Sequence, residues 1–478
     1  MNSIMTALAF SIFALIWLVV PSSMIGAGAA VTCVALAGIA GFIISRVETD
    51  KKFLLHLFIG GLLIRVAVGT LIYGFDLQGF FGGDAFTYDT FGLYQLQSWE
   101  GNIAAQYQVN LFLGEGGGAG WGMVYMVAAL YKIVGPNMLA TQFVNSVLGA
   151  STAVIIYLCA QQIFGNLRVS RVAGLFVAFF PSLILWSSQG LKDGPIVFLL
   201  ALTMLSTLKL GEKFRVGYLL VLIFAMLGVL SLRFYIFYML IVAITGAFVI
   251  GMRAASAQNF VRQFAVIMII GVALAFFGIS QYANTHFESY GRLDELQRSR
   301  LDSSRSADSG FNRDVDISTT SGVVTAIPVG LVYLLFAPFP WQLGSLRQSI
   351  TLPEMLVWWS SFPLLVLGFW YTIKYRLRHI SPILIFTTLL TLAYSVFEGN
   401  VGTAYRQRAQ LLVFYFIFVS VGYVLVKEKR ENRQRIQISA SLENEAMRAG
   451  RMLVRGKNTG QYDWEPVLQE VATKLKTE

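Results

Sequence analysis

Charge is scarce in this sequence: 13% of its 478 residues are Asp, Glu, Lys or Arg, about half the share of a soluble globular domain. Histidine and cysteine are scarcer still. His56, His286 and His379 lie far apart and give no metal-ligand spacing. Cys33 and Cys159 sit inside apolar runs, so they offer neither a disulfide framework nor a thiolate metal site. There is no Walker A loop and no dinucleotide fingerprint after a strand, which removes two nucleotide-binding classes. The glycines at 116–118 have no strand before them and read as loop. The apolar blocks show no sustained alternation, which argues against a β-barrel. The first block, Ile4 to Val20, has no cation before it and no small-residue cleavage pattern behind it, so it is expected to remain as a span.

What the chain has instead is apolar bulk. Hydrophobic residues make up 56% of it, and the mean hydropathy is +0.64. They come in blocks of roughly the length a bilayer core requires, where only helices satisfy their own backbone. The expected fold is an all-α, polytopic transmembrane bundle of about twelve spans, drawn at 4–20, 27–45, 53–73, 138–164, 172–188, 195–210, 216–232, 235–251, 264–282, 355–373, 381–397 and 410–426. The net charge of +10 gathers in short turns (Arg46, Lys51 and Lys52; Arg168 and Arg171; Lys213 and Arg215; Arg253 and Arg262; Lys374, Arg376 and Arg378) and in the tail. That is a positive-inside pattern rather than a nucleic-acid footprint. It puts both termini in the cytoplasm of a bacterial inner membrane, and membrane lipids among the partners.

The division that follows is a transmembrane catalytic domain over 1–426 and a basic cytoplasmic tail over 427–478. The first outer loop covers 74–137 and includes Trp121 to Val134 as an interfacial helix. The second covers 283–354, within which 323–341 carries Pro328, Pro338 and Pro340 and reads as a re-entrant or interfacial element. Residues 74–120 hold Asp76, Asp84, Asp89, Glu100 and Glu115 and no Lys or Arg.

Three outer stretches could carry chemistry. Phe80-Phe81-Gly82-Gly83-Asp84 follows the third span, so Asp84 is expected at the membrane boundary among aromatics and glycines. With no cation nearby in sequence, such a carboxyl is basic enough to take a proton from a sugar hydroxyl. The bland alternative is an acidic loop in which Asp84 starts a helix. Lys192-Asp193 lies in a short turn before Pro195, where the pair either caps the next helix or offers a cation to a lipid phosphate. Arg406 and Arg408 lie in another outer turn, against the charge bias, and guanidinium forks suit phosphate; the alternative is that they contact phospholipid headgroups or salt-bridge Asp or Glu of the first loop. Arg233 and Arg347 are placed to join such a site. Arg65, inside the third span, is either functional or paired with a carboxylate to hold the bundle.

These motifs resemble the GT-C superfamily of integral-membrane glycosyltransferases, which use polyprenyl-phosphate-linked sugars. Gly83-Asp84-Ala85 followed by Tyr88 resembles the first-loop acidic motif of bacterial members, Pro181, Trp186-Ser187 and Lys192-Asp193 their middle region, and Arg406-Gln407-Arg408 their late phosphate-facing loop. Pro338-Phe339-Pro340-Trp341 resembles proteins of surface-polysaccharide biosynthesis in the cell envelope. The resemblance implies inverting transfer from a polyprenyl-(di)phosphate donor to an extracytoplasmic glycan or lipid-linked acceptor. Asp84 would be the base, with Asp89 as the second acidic residue, and Lys192, Arg233, Arg347, Arg406, Arg408 and Tyr88 would contact substrate. No cofactor is indicated; the five-residue step from Asp84 to Asp89 departs from the adjacent acidic pair of many members and leaves metal dependence open.

Two other readings stand beside it. A polysaccharide polymerase or ligase would rely on Arg292, Arg298, Arg300, Arg305 and Arg313 of the second outer loop. A transporter, flippase or envelope-assembly subunit would need no transfer chemistry, though a transporter calls for an internal repeat, and none is evident.

Overall fold

The structure, a computed structural model, describes residues 3–20, 22–114, 120–251, 293–305, 310–311 and 315–455. Among these are seventeen helices and no strand. The chain runs α1 (Ser3–Val19), α2 (Ser23–Ser45), α3 (Lys51–Gly74), α4 (Gln78–Phe81), α5 (Asp84–Trp99), α6 (Ile103–Leu113), α7 (Trp121–Val134), α8 (Met138–Phe164), α9 (Leu167–Phe179), α10 (Pro181–Ser187), α11 (Asp193–Glu212), α12 (Val216–Leu232) and α13 (Phe234–Gly251). After a gap in the described residues come α14 (Leu293–Arg305), α15 (Thr320–Phe336), α16 (Leu346–Phe397) and α17 (Val401–Arg455). Residues 1–423 form one compact unit and 424–478 a second.

A polytopic all-α bundle is therefore what the sequence folds into. Eleven of the twelve expected spans fall on described helices; the twelfth, 264–282, lies outside the described residues, as do Arg292, Arg313, His286, Glu115 and the tail beyond 455. By length and composition six helices can cross a membrane, or seven if α9 and α10 count as one bent span. α1, α12 and α15 are apolar but only 17 residues long.

One boundary differs from expectation. The span drawn at 172–188 is broken at Phe180–Pro181, where α9 and α10 bend by 55°, because proline supplies no N–H to continue the helix. The spans at 355–373 and 381–397 fall on the two arms of α16, which meet at a kink at Arg376 with no loop between them. Residues 323–341 are mostly helix α15, with Pro328 inside it, followed by a short turn at Pro340–Gln342.

α8 lies at the centre, packed on α2, α3, α9 and α11. Its Leu139, Ala140, Phe143, Ala150 and Tyr157 are fully buried. Small residues let the helices approach where lipid gives no hydrophobic drive to associate. A Cβ on Gly368 would strike the Phe418 carbonyl, and one on Gly422 the Leu364 carbonyl, so α16 and α17 touch backbone to backbone. Two buried arginines serve the helix breaks. Val177 would bond the residue-181 N–H that Pro181 lacks; Arg65 donates to the carbonyls of Val177 (3.1 Å), Ala178 (2.7 Å) and Gly61 (2.9 Å) and to Ser187 Oγ (2.8 Å). Leu334 would bond the N–H that Pro338 lacks; Arg408 donates to the carbonyls of Leu334 (3.3 Å), Leu335 (3.1 Å) and Ala337 (3.0 Å). Trp359 Nε1 likewise serves Phe336 (3.1 Å), orphaned by Pro340. An unmet buried carbonyl costs about 1–3 kcal/mol, so these side chains stabilise the bends. Arg65 is thus an anchor for main chain, with no carboxylate partner among the described residues.

Candidate active site

Four separate segments deliver charged side chains to one end of the bundle. The first is the start of α5. Gly82, at φ +132°, closes α4 and turns the chain, and Asp84 becomes the first residue of α5. A carboxylate is favoured there by the helix dipole. The second is the turn from α10 to α11, where Asn145 Nδ2 holds the carbonyls of Gln189 (2.6 Å) and Leu191 (2.7 Å). That grip sets Lys192 and Asp193 at the head of α11. The third is Arg233, the single extended residue joining α12 to α13. The fourth is Arg406, near the start of α17.

These side chains form one network. Arg406 Nη1 meets Asp84 Oδ2 at 2.6 Å, while its Nε and Nη2 both meet Asp193 Oδ2 at 2.6 Å. Arg233 Nη2 lies 3.3 Å from Asp193 Oδ1, and its Nη1 donates to Tyr235 Oη (2.7 Å) and Tyr394 Oη (3.3 Å). Tyr394 Oη donates in turn to Gln410 (2.8 Å). Trp186 lies under the Arg406 guanidinium at 5.8 Å. The two carboxylates differ in burial: the Asp193 side chain is 1% exposed and that of Asp84 55%.

Lys192 stands apart. It is largely buried, yet its ammonium has no hydrogen-bond or ion-pair partner among the described residues. Burial, with Arg233 adding to it, pushes its pKa down to about 8. Glu398, buried in the turn between α16 and α17, is held up at about 7 by burial, with Arg233 opposing. Lys192, Arg233 and Arg406 face Asp84 and Asp193, with Glu398 near Arg233 only partly charged at neutral pH, so the cations outnumber the charged carboxylates. The surplus charge is the electrostatic profile of a site for an anion.

The residues singled out from the sequence separate into two groups. Asp84, Lys192, Arg233 and Arg406 come together, and Tyr88 is buried beside them, its phenol pushed up by burial and by Asp84 and Asp193. Asp89 does not join: its carboxylate accepts from Tyr131 Oη of α7, and burial raises its pKa. Arg347 reaches the first loop rather than the cluster, donating to the Gly79 carbonyl (3.2 Å) and covering the Phe80 ring at 5.2 Å. Arg408 lies two residues from Arg406, and such helix neighbours do not face the same way; its fork is committed to the α15 carbonyls and to Met355 Sδ (2.9 Å). It is corrected here from phosphate ligand to backbone anchor.

Asp84, which has no cation near it in sequence, pairs directly with Arg406, 322 residues away, the first-loop salt bridge that the sequence left open for the outer arginines. Of the second-loop arginines, Arg300 donates to the Val315 carbonyl (2.9 Å) and Arg298 pairs with Glu295 (3.4 Å). The sequence reading gave no role to Tyr394 and Gln410, buried polar groups within apolar runs, or to Glu398, which opens the outer turn that carries Arg406. Among the described residues no three His, Cys, Asp or Glu side chains gather as a metal site.

Comparison with known proteins adds a family and a likeness to solved structures. Residues 121–280 match the family described as dolichyl-phosphate-mannose-protein mannosyltransferase. This bears out the resemblance to GT-C membrane glycosyltransferases. Lys192, Asp193 and Arg233 lie within the match; Asp84 and Arg406 lie outside it. No curated protein matches the sequence. Among solved structures, the chain is similar to the archaeal oligosaccharyltransferase AglB from Archaeoglobus fulgidus, in complex with an inhibitory peptide and a dolichol-phosphate. The identity is 14%, the TM-score 0.37, and the match covers 75% of this chain and 46% of that one. The chain thus spans less than half the length of that protein.

Proposed function

We propose, from the family match at residues 121–280 and the charged cluster beside it, that the chain transfers a sugar from a polyprenyl-(di)phosphate donor to an extracytoplasmic acceptor with inversion. The observation that carries this reading is the pairing of a half-exposed carboxylate, Asp84, with buried cations on its inner side, Arg406 and Lys192. Glycosyl transfer from a phosphate needs both. A base takes the proton of the acceptor hydroxyl as its oxygen attacks the anomeric carbon. The bond from that carbon to the phosphate oxygen breaks on the opposite face, and the electron pair stays on the phosphate. A phosphate leaving group needs positive charge more than a proton, so cations take the place of a general acid.

Asp84 is the proposed base. Arg406 and Lys192 are the phosphate contacts, and Arg233 keeps Asp193 charged and in place beneath them. Asp193, being 1% exposed and held by two arginines, orients Arg406 and does not itself reach the acceptor. Tyr88 packs behind Asp84 and lines the acceptor side. The polymerase reading draws no support from Arg300, which donates to the Val315 carbonyl.

The test is transfer of labelled sugar from a polyprenyl-phosphate donor by purified protein in lipid. Asp84→Asn is expected to lower the rate by about 10²- to 10⁴-fold, the usual worth of a positioned base, while Asp89→Asn leaves most of it. A fully active Asp84→Asn protein would remove Asp84 as base.

A further inference from the structure

Every nitrogen of the Arg406 fork has a carboxylate contact, Nη1 with Asp84 and Nη2 and Nε with Asp193, which uses three of its five N–H donors. A phosphate oxygen that takes one of these positions has to displace a carboxylate. The two carboxylates are not equally displaceable. Removing Asp193 would strand a buried charge, which is strongly unfavourable. Asp84 is 55% exposed, is held by Arg406 alone, and would pass into water on release. Its backbone leaves α4 through Gly82 and Gly83, where an added Cβ would meet open space. Lys192 lies beside the pair with its ammonium unengaged by any described residue, ready as a second contact for an anion that replaces Asp84.

We infer that the Asp84 carboxylate occupies the seat of the donor phosphate in the unliganded protein, so that phosphate binding to Arg406 and release of Asp84 are one exchange. This rests on the glycosyltransferase reading and deepens it. A carboxylate oxygen engaged by Arg406 is not free to accept the proton of an acceptor hydroxyl. Exchange frees it at the moment the donor arrives, and the base is masked whenever the donor is absent. It also fixes an order: donor first, acceptor second.

The exchange makes a prediction opposite to that of an ordinary binding residue. If Asp84 fills the seat about nine-tenths of the time, it lowers the apparent phosphate affinity about tenfold. Replacing Asp84 with Asn should therefore tighten binding while it abolishes transfer. The experiment measures Kd for a short-chain polyprenyl phosphate, and separately for inorganic phosphate, on wild type, Asp84→Asn and Asp84→Ala in detergent, with thermal unfolding as the control for folding. Tightening of about tenfold in both variants supports the exchange, and the arm that shows it says whether the lipid chain is required. In an Arg406→Gln background the tightening should vanish. Unchanged or weaker binding in the folded Asp84 variants, or tightening that survives Arg406→Gln, overturns it. Failure of wild type to transfer sugar while the tightening persists would instead defeat the glycosyltransferase reading and leave the exchange standing.

Discussion

Two pairs of arginines occupy similar burial in this bundle and do opposite things. Arg65 and Arg408, both 1% exposed, spend their donors on main-chain carbonyls at helix breaks made by Pro181 and Pro338. Arg233, 8% exposed, and the largely buried Arg406 spend theirs on carboxylates and phenols, groups a ligand can replace. A carbonyl orphaned by proline cannot leave, so its arginine is committed for the life of the fold. A half-exposed carboxylate can leave, so its arginine is available for exchange. An arginine in a membrane bundle is thus assigned by what it donates to, and burial alone misleads.

The sharpest way to break this comparison is to remove an anchor. Arg65→Ala strands the carbonyls of Val177 and Ala178, each at about 1–3 kcal/mol, so a total loss of about 3 kcal/mol is expected in denaturant unfolding of the detergent-solubilised protein. Phosphate affinity of the protein that remains folded should stay within about twofold, because no phosphate contact is lost. A stable Arg65→Ala protein that no longer binds phosphate would erase the distinction between the pairs.

The next test exchanges only the shape of the cation. Arg406→Lys keeps the charge and loses the fork that spans Asp84 and Asp193. Transfer should fall about a hundredfold, the scale seen when one transition-state donor is removed. At Arg408 the same swap also loses the reach to three carbonyls, and there the expected loss is in stability, with kcat retained by the folded fraction. If Arg408→Lys lowers kcat and Arg406→Lys lowers stability alone, the assignments are reversed.

A smaller effect tests the reason for the anchors. Pro181→Ala restores an N–H that the Val177 carbonyl can accept through a continued helix. In the Arg65→Ala background it should recover about 1 kcal/mol, one net hydrogen bond, and in wild type it should not stabilise at all. Equal effects in both backgrounds would mean that Arg65 does not replace the missing donor.

The sequence disclosed the bundle well because apolar blocks near bilayer length admit only helices; α8 and α12 fall on their drawn limits of 138–164 and 216–232. It disclosed the residue types of the site, since Asp84, Lys192 and Arg406 are rare charges beside glycines and turns. It did not disclose partnership. Asp84 looked solitary because its cation is 322 residues away, and Arg406 and Arg408 looked like one clamp because a linear motif hides that residues two apart on a helix diverge. The bend at Pro181 was legible in the proline itself; that Arg65 serves it was not, because the contact joins α3 to α9.

The mildest test concerns pH. Lys192, lowered to about 8 by burial, loses its charge as pH rises through that value. Its folded pKa lies below the roughly 10.4 of an unfolded lysine, so between about 8 and 10 the unfolded chain holds more protons. Its contribution to stability accordingly rises with pH across that window. Its contribution to anion binding moves the other way, since a neutral amine no longer attracts phosphate. The second ionisation of a phosphate monoester is centred near pH 6, so from about pH 7 upward the ligand's own charge changes little. The expected result is phosphate affinity that is greatest near pH 7 and falls several-fold by about pH 9. Lys192→Arg, which stays charged throughout, should bind with little change over the same range. A fall that persists in Lys192→Arg would place the titrating group elsewhere and return Lys192 to a capping role at the head of α11. A fall that disappears makes Lys192 the second contact of an exchangeable site, on the same side of the comparison as Arg406.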